Sequence, residues 1–354
     1  MSNPLLDALE LARYLLGQIS SLLPISEIHF VAPDPNVDFT GLPSFGHVSR
    51  PSVRWCCSLT MQGKRSAISL SDVRGTDHVY GSGSTSGSGY VYTSAGGLVD
   101  VGHVRDNADM TRYCASQVLQ NWPMGGTFSL GAEGFDPASN YDAERIITVK
   151  PSTITATPEL MALIGARIAY DVAVFHEINT WDDSSSFSPE DNYSNLLGTY
   201  IGFLALLSTD DYNTAVNEQL TKLLIVLGAA PRDVTRDVID YVEDHWFRVS
   251  ITGVALKRRH FDALVEVPPW QATETQIPGL GSELTKLKAK VTGPSQPVRI
   301  TVPDTHSVFG DLSQFYELNL VDGGTTVLKN SDFGSHIAGL RATAKQGDPN
   351  VDQP

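Results

Sequence analysis

Two long apolar stretches constrain this chain more than anything else in it. Residues 158–175 are hydrophobic nearly all round, and residues 189–207 are almost as apolar, so both read as buried helices rather than surface ones. The segment that joins them carries an imidazole, an indole and several carboxylates, from His176 and Glu177 through Trp181, Asp182 and Asp183 to Asp191 and Asn195. Polar groups gathered where two buried helices meet must satisfy one another or serve a site, because an unpaired polar group away from water is costly.

The remaining segments fill in around that pair. Residues 3–22 read as a helix, 28–32 as a strand, and 52–61 with 65–70 as a hairpin. Residues 81–89 are a Gly/Ser run that lacks the Gly-Lys-Ser/Thr ending of a phosphate loop, which leaves a flexible loop. Strands are expected at 90–93, 98–101, 127–130, 145–149, 298–302 and 315–321, and helices at 104–120, 211–227 and 231–242. Short links between the helices of 158–242 imply sequential antiparallel neighbours. The expected fold is therefore α+β in one domain. A central antiparallel helical bundle (158–242) is flanked by β segments from both ends, with an N-terminal helix and hairpins over 1–94 and a tail at 346–354.

Charge and cysteine content narrow the functional classes. A net charge of −15, with no basic patch larger than residues 257–260, argues against nucleic acid as a partner. No run is long and apolar enough to span a bilayer. The first residues resemble an amphipathic helix rather than a signal peptide. Three cysteines with no CxxC spacing fit a reducing compartment, and the expectation is a cytoplasmic protein.

The chemistry should lie where the two buried helices join. On a helical wheel Ala162, Ala166, Ala169 and Ala173 form a small-residue stripe leading to His176 and Glu177. In the second helix Ser188 suits the N-cap, Pro189 the first turn and Asp191 the third position, with Asp191, Ser194, Asn195, Gly198 and Gly202 on one face. If the two stripes face each other, Glu177 and His176 come beside Asp191 and Asn195. Two carboxylates in a poorly solvated cleft then share a proton, as a general acid needs. Arg167 and Asp171, four apart on the opposite side, read as a structural ion pair. His176-Glu177 does not begin a zinc-protease HExxH, because Thr180 stands where the second histidine should be.

A second polar cluster begins after the strand at 98–101. His103 falls at a helix start, where the dipole favours the neutral imidazole. It shares a face with Asn107 and Cys114, whereas Arg105, Asp109 and Arg112 lie on another. Arg105 and Asp109 also suit an exposed i, i+4 pair.

Both clusters carry a family resemblance. Residues 96–105 with Ala108, Asp109, Met110, Thr111 and Tyr113, then His176-Glu177, Thr180-Trp181 and residues 186–198, resemble the uncharacterised bacterial family known as domain of unknown function 4056. The resemblance spans roughly residues 95–322, with a weaker echo at Arg259, Phe261 and Asp262, where His260 replaces the family's Asn. It implies no particular activity. Many members look like exported lipoproteins, a signal that the start of this chain lacks. The matching segments are the same two clusters, which implies that they meet in space.

Three functions follow. The first is an acid–base enzyme, a hydrolase, in which Glu177, His176, His103 and Asp191 do the chemistry. Arg105, Asp109, Trp181 and Asn195 then hold a small-molecule or glycan substrate. It takes either a glycosidase-like form, pairing Glu177 with Asp182, Asp183 or Asp191, or a form with a divalent metal held through His103 and His176. The second is a non-catalytic module that binds a small ligand or a protein through the same groups. The third is a cytoplasmic accessory enzyme of secondary metabolism. Glu177 is the residue on which the chemistry is expected to depend.

Overall fold

A single carboxylate starts the helix around which the molecule is built. Asp100 accepts the backbone N–H groups of Gly102 (2.7 Å) and His103 (3.2 Å), satisfying two of the donors that every helix N-terminus leaves open. The helix therefore begins at Val101, three residues earlier than the sequence implied.

The computed structural model describes residues 26–31, 45–51, 66–82, 88–132, 144–179, 186–243, 245–250, 253–270, 296–303, 307, 309–322 and 324–347. In chain order the elements are β1 (Glu27–Ile28), α1 (Leu70–Arg74), β2 (Tyr90–Thr93), β3 (Gly97–Asp100), α2 (Val101–Asn121), β4 (Gly126–Ala132) and β5 (Glu144–Val149). Then follow α3 (Pro158–Asn179), α4 (Asp191–Leu206), α5 (Tyr212–Val226), α6 (Arg232–Val242), β6 (Phe247–Ser250), β7 (Gly253–Leu256), β8 (Glu266–Val267) and β9 (Arg299–Thr301). The last are β10 (Tyr316–Asp322), β11 (Thr325–Lys329) and α7 (Phe333–Gly347). The helix expected at 3–22, most of the hairpin at 52–70 and the middle of the Gly/Ser loop lie outside the described residues.

The fold is α+β with a helical bundle at its core, but the bundle's membership differs from the sequence reading. Its central helix is α2, which lies outside 158–242 and packs against both α3 and α4. Three glycines permit the close approach. A Cβ at Gly165 would sit 2.6 Å from Ala115, one at Gly198 would sit 2.5 Å from the Val104 carbonyl oxygen, and one at Gly202 would sit 2.7 Å from Thr111. The small-residue face of α4 thus meets α2, not the alanine stripe of α3. The contacts also give direction. Gly198 lies by Val104 and Gly202 by Ala108 and Thr111, so α2 and α4 run parallel; Gly165 by Ala115 and Glu177 by His103 make α3 antiparallel to both.

The fourth expected bundle helix, α6, leaves the bundle. Its apolar face (Val238, Ile239, Val242) joins Tyr90, Tyr92, Leu98 and Trp246 in a second hydrophobic cluster, and Tyr92 N–H donates to Thr235 Oγ1 (3.1 Å). An antiparallel sheet of order β11-β10-β5-β4 sits beside α3. It is tied there by the expected Arg167–Asp171 pair (3.0 Å), because Asp171 also accepts from Tyr316 (2.5 Å) and Asn330 (3.1 Å). Strands β1, β9 and β8 form a smaller sheet, parallel then antiparallel. No described helix is long and apolar enough to cross a membrane.

Candidate functional site

Parallel packing of α2 and α4 has a direct consequence: both N-termini open at the same end of the bundle, where the antiparallel α3 ends. Asp100 and His103 come from the start of α2, Asp191, Ser194 and Asn195 from the start of α4, and Glu177 from the last turn of α3. Asp100 N–H donates to Ser194 Oγ (2.9 Å), and Asn107 Nδ2 donates to Asn195 Oδ1 (2.8 Å), so side chains lock the two helix starts together. His103 Nδ1 lies 3.3 Å from Asp191 Oδ1 and 3.6 Å from Asp100 Oδ2. Neither Nδ1 nor Asp191 Oδ1 is aligned in a hydrogen bond with another described residue, although both are buried. Their desolvation cost is therefore met by charge attraction between the ring and the carboxylates around it rather than by aligned hydrogen bonds.

Residues 186–190, just ahead of α4, close the site. Glu177 Oε2 accepts the N–H of Phe187 (2.5 Å), and Ser186 Oγ donates to the Glu177 carbonyl (2.5 Å). Arg259 donates to the Ser186 carbonyl. Ser188 was the expected N-cap, but α4 begins at Asp191 with Glu190 at the cap position, and Ser188 Oγ donates to Glu190 Oε2 instead (2.6 Å). Asp191 is therefore the first helical residue, not the third.

Burial and mutual repulsion decide the protonation states. Burial, with Asp191 adding like charge, raises the Glu177 carboxyl to about 7. Burial likewise raises Asp191 to about 7, against the pull of His103, with Glu190 and Asp100 adding to the rise. The direction is upward for both carboxyls. For His103 burial acts against the charge, but Asp100, Asp191 and Glu177 together outweigh it and hold the imidazole well above its ordinary value. The helix dipole favoured a neutral ring; three carboxylates at close range overrule it. Tyr90 is also part of the cluster, its phenol raised by burial and then by Asp100, Glu190 and Asp191.

These shifts all act in one direction on stability. Each group keeps its proton in the folded state at a pH where the unfolded chain has released it, so folding weakens as pH rises. For Glu177 the window runs from 4.5 to about 7, and at about 1.4 kcal/mol per tenfold in proton affinity the interval is worth on the order of 3 kcal/mol. Thermal unfolding should therefore give a melting temperature about 4 °C lower near pH ~8 than near pH ~5. The carboxylates held low, Asp72, Asp211, Asp311 and Glu317, titrate below that window. A melting temperature that rises with pH across the window contradicts this account.

The structure brings some of the sequence candidates together and separates others. His103, Glu177, Asp191 and Asn195 converge. His176 is half-buried and close enough to favour the Glu177 charge. Arg105 and Asp109 are elsewhere, on the other face of α2, and both are buried rather than exposed. Arg105 donates to the Thr76 carbonyl (3.0 Å) and Asn217 Oδ1 (3.1 Å), and Asp109 accepts from His78 (2.8 Å) and the Gly81 N–H (2.8 Å). They fasten residues 76–81 to the bundle, so the start of the Gly/Ser loop is held. Trp181, with Asp182 and Asp183, lies outside the described residues. Among the described residues no three His, Cys, Asp or Glu side chains are arranged to hold a metal ion. Three members of the cluster were missed: Asp100, Tyr90 and Glu190. Asp100 had a readable signal, an Asp directly ahead of a helix.

Comparison with known proteins adds one finding. The sequence profile of the family described as protein of unknown function DUF4056 matches residues 67–255. The chain belongs to this family. The DUF4056 match begins before the range read from the sequence, at Ala67, and so includes α1 and β2. It stops short of Arg259, Phe261 and Asp262, which leaves the weaker echo outside it. All of α2, α3 and α4 fall within the DUF4056 region, and with them every helix that builds the cluster. No curated protein and no solved structure matches the chain.

Proposed function

We propose that the helix-terminal cluster is an acid–base active site of the hydrolytic kind, in which His103 and Asp191 move the proton. One observation carries this reading. His103 Nδ1 and Asp191 Oδ1 are buried 3.3 Å apart with no other hydrogen-bond partner among the described residues, amid carboxyl groups that exchange protons near neutrality. Such tuning is characteristic of catalytic groups, which work best with a proton affinity near ambient pH. With Nδ1 turned to the carboxylates, Nε2 is the nitrogen that meets substrate. Asp100, 3.6 Å from the same Nδ1, supplies a second carboxylate, and Tyr90 adds a phenol. Side-chain exposures of 8% or less at Asp100, His103 and Asp191 favour a small molecule over a polymeric glycan.

The non-catalytic binding module uses the same residues, and the assay separates the two. The purified protein is offered small chromogenic glycosides, esters, phosphate esters and amides. Hydrolysis of at least one class is expected, with kcat/KM falling as pH rises past about 7, because the shared carboxyl proton is then lost. No turnover on any class, or a rate that ignores pH across that region, would end the enzymatic reading in favour of binding.

A further inference from the structure

We infer that Glu177 is a positioning residue, whose carboxylate locks Phe187 in a left-handed backbone conformation and thereby sets Asp191 against His103. Phe187 has φ 54°, the only positive φ outside glycine among the described residues. A bulky side chain resists that region, and such a conformation persists only where its surroundings over-determine it.

Here the surroundings do so. The Phe187 N–H is held by Glu177 Oε2 (2.5 Å), and its carbonyl accepts the N–H of His260 (2.8 Å). Its ring is fully buried, with its centroid 5.0 Å from that of Phe261. On one side Ser186 is tied to the Glu177 carbonyl and to Arg259. On the other the constraint passes along a short path to the reactive pair. Asp191 N–H donates to the Ser188 carbonyl (3.0 Å), Ser188 Oγ to Glu190 (2.6 Å), and Asn192 Nδ2 to the His260 carbonyl (2.6 Å). With Phe187 and the first turn of α4 both pinned, the Asp191 backbone is held where its carboxylate comes 3.3 Å from His103 Nδ1. A carboxylate that accepts a backbone N–H and faces a guanidinium is a strong anchor. Around Glu177 stand Asp191 from α4, His103 from α2, His176 and Tyr170 from its own helix, and Arg259 from the segment after β7.

The lock is a property of the fold and holds whether or not the acid–base reading does; only its consequence for turnover rests on that reading. The test sets two variants of the full chain against each other. Glu177→Gln keeps an acceptor oxygen at the same reach and loses the charge. Glu177→Asp keeps the charge and draws the carboxylate back by one methylene. In Glu177→Asp the Phe187 amide should exchange with solvent at least roughly tenfold faster than in the parent protein, whereas in Glu177→Gln it should stay within about threefold. NMR titration of the His103 ring should move further from the parent value in Glu177→Asp, despite the retained charge. The opposite order, with Gln disruptive and Asp benign, overturns positioning and makes the Glu177 charge or proton the important property. If Glu177→Asp does not fold, the parent protein supplies the reading. The Phe187 amide shift should then follow the carboxyl's titration at about 7, and an amide indifferent to pH there overturns the lock equally.

Discussion

Replacing Gly198 with alanine is expected to cost the fold about 3 kcal/mol, a fall of roughly 4 °C in melting temperature. In an exposed helix the same change would stabilise by about 1 kcal/mol, since glycine is the poorer helix former. At Gly198 the added Cβ would lie 2.5 Å from the Val104 carbonyl oxygen, 2.7 Å from Asn107 Cβ and 2.9 Å from Val104 Cα. Two of these are backbone atoms of a buried helix, which cannot step aside as a flexible side chain can. The helices must separate, and the start of α4 carries Asp191 away from His103. A control of opposite sign is available in α7. A Cβ added at Gly339 would meet nothing within 4 Å, so Gly339→Ala should raise stability by about 0.5–1 kcal/mol. Denaturant unfolding of the two variants side by side decides the matter. A Gly198→Ala protein as stable as its parent would mean that α2 and α4 do not pack as described.

Asp191→Asn should lower turnover by about 10²-fold or more on whichever substrate class the panel identifies. The amide keeps the shape of the carboxyl and removes both its charge and its exchangeable proton. Because Asp191 is buried with its proton affinity raised by desolvation, its ionised form is a burden to the fold above about pH 7. The variant should therefore be at least as stable as the parent there while losing activity, the signature of a residue retained for chemistry at a cost in stability. His103 should titrate lower, having lost one of the carboxylates that hold its proton. Unchanged turnover, or a loss of activity accompanied by unfolding, would remove Asp191 from the proposed role.

How much of this was legible in the sequence depended on the kind of signal each element carried. The helices α3 and α4 were readable because their residues are apolar nearly all round, and burial of such a surface is dictated locally. The Arg167–Asp171 pair followed from helical spacing alone. Helix α2 was recognised as a helix but not as the centre of the bundle, because its buried positions include Arg105, Asp106, Asn107, Asp109 and Thr111. Such residues are buried only when partners from distant segments satisfy them, as Thr76, His78, Gly81 and Asn217 do for Arg105 and Asp109. No periodicity in the chain announces those partners. Helix α7 gave little apolar pattern and was not foreseen.

The candidate site divides in the same way. Spacing within one helix is a local property, so the sequence alone determined that His176 and Glu177 stand at the end of one buried helix, and that Asp191 and Asn195 share a face with Gly198 at the start of another. Which helix that face would meet was a tertiary matter. The glycines Gly198 and Gly202 allow close approach to any neighbour, and only the packed structure shows that the neighbour is α2, running parallel. That choice placed His103 and Asp100 beside Asp191. It also reversed the expected charge of His103, because a helix dipole is written in the local sequence while three carboxylates converging from the end of β3, the end of α3 and the start of α4 are not.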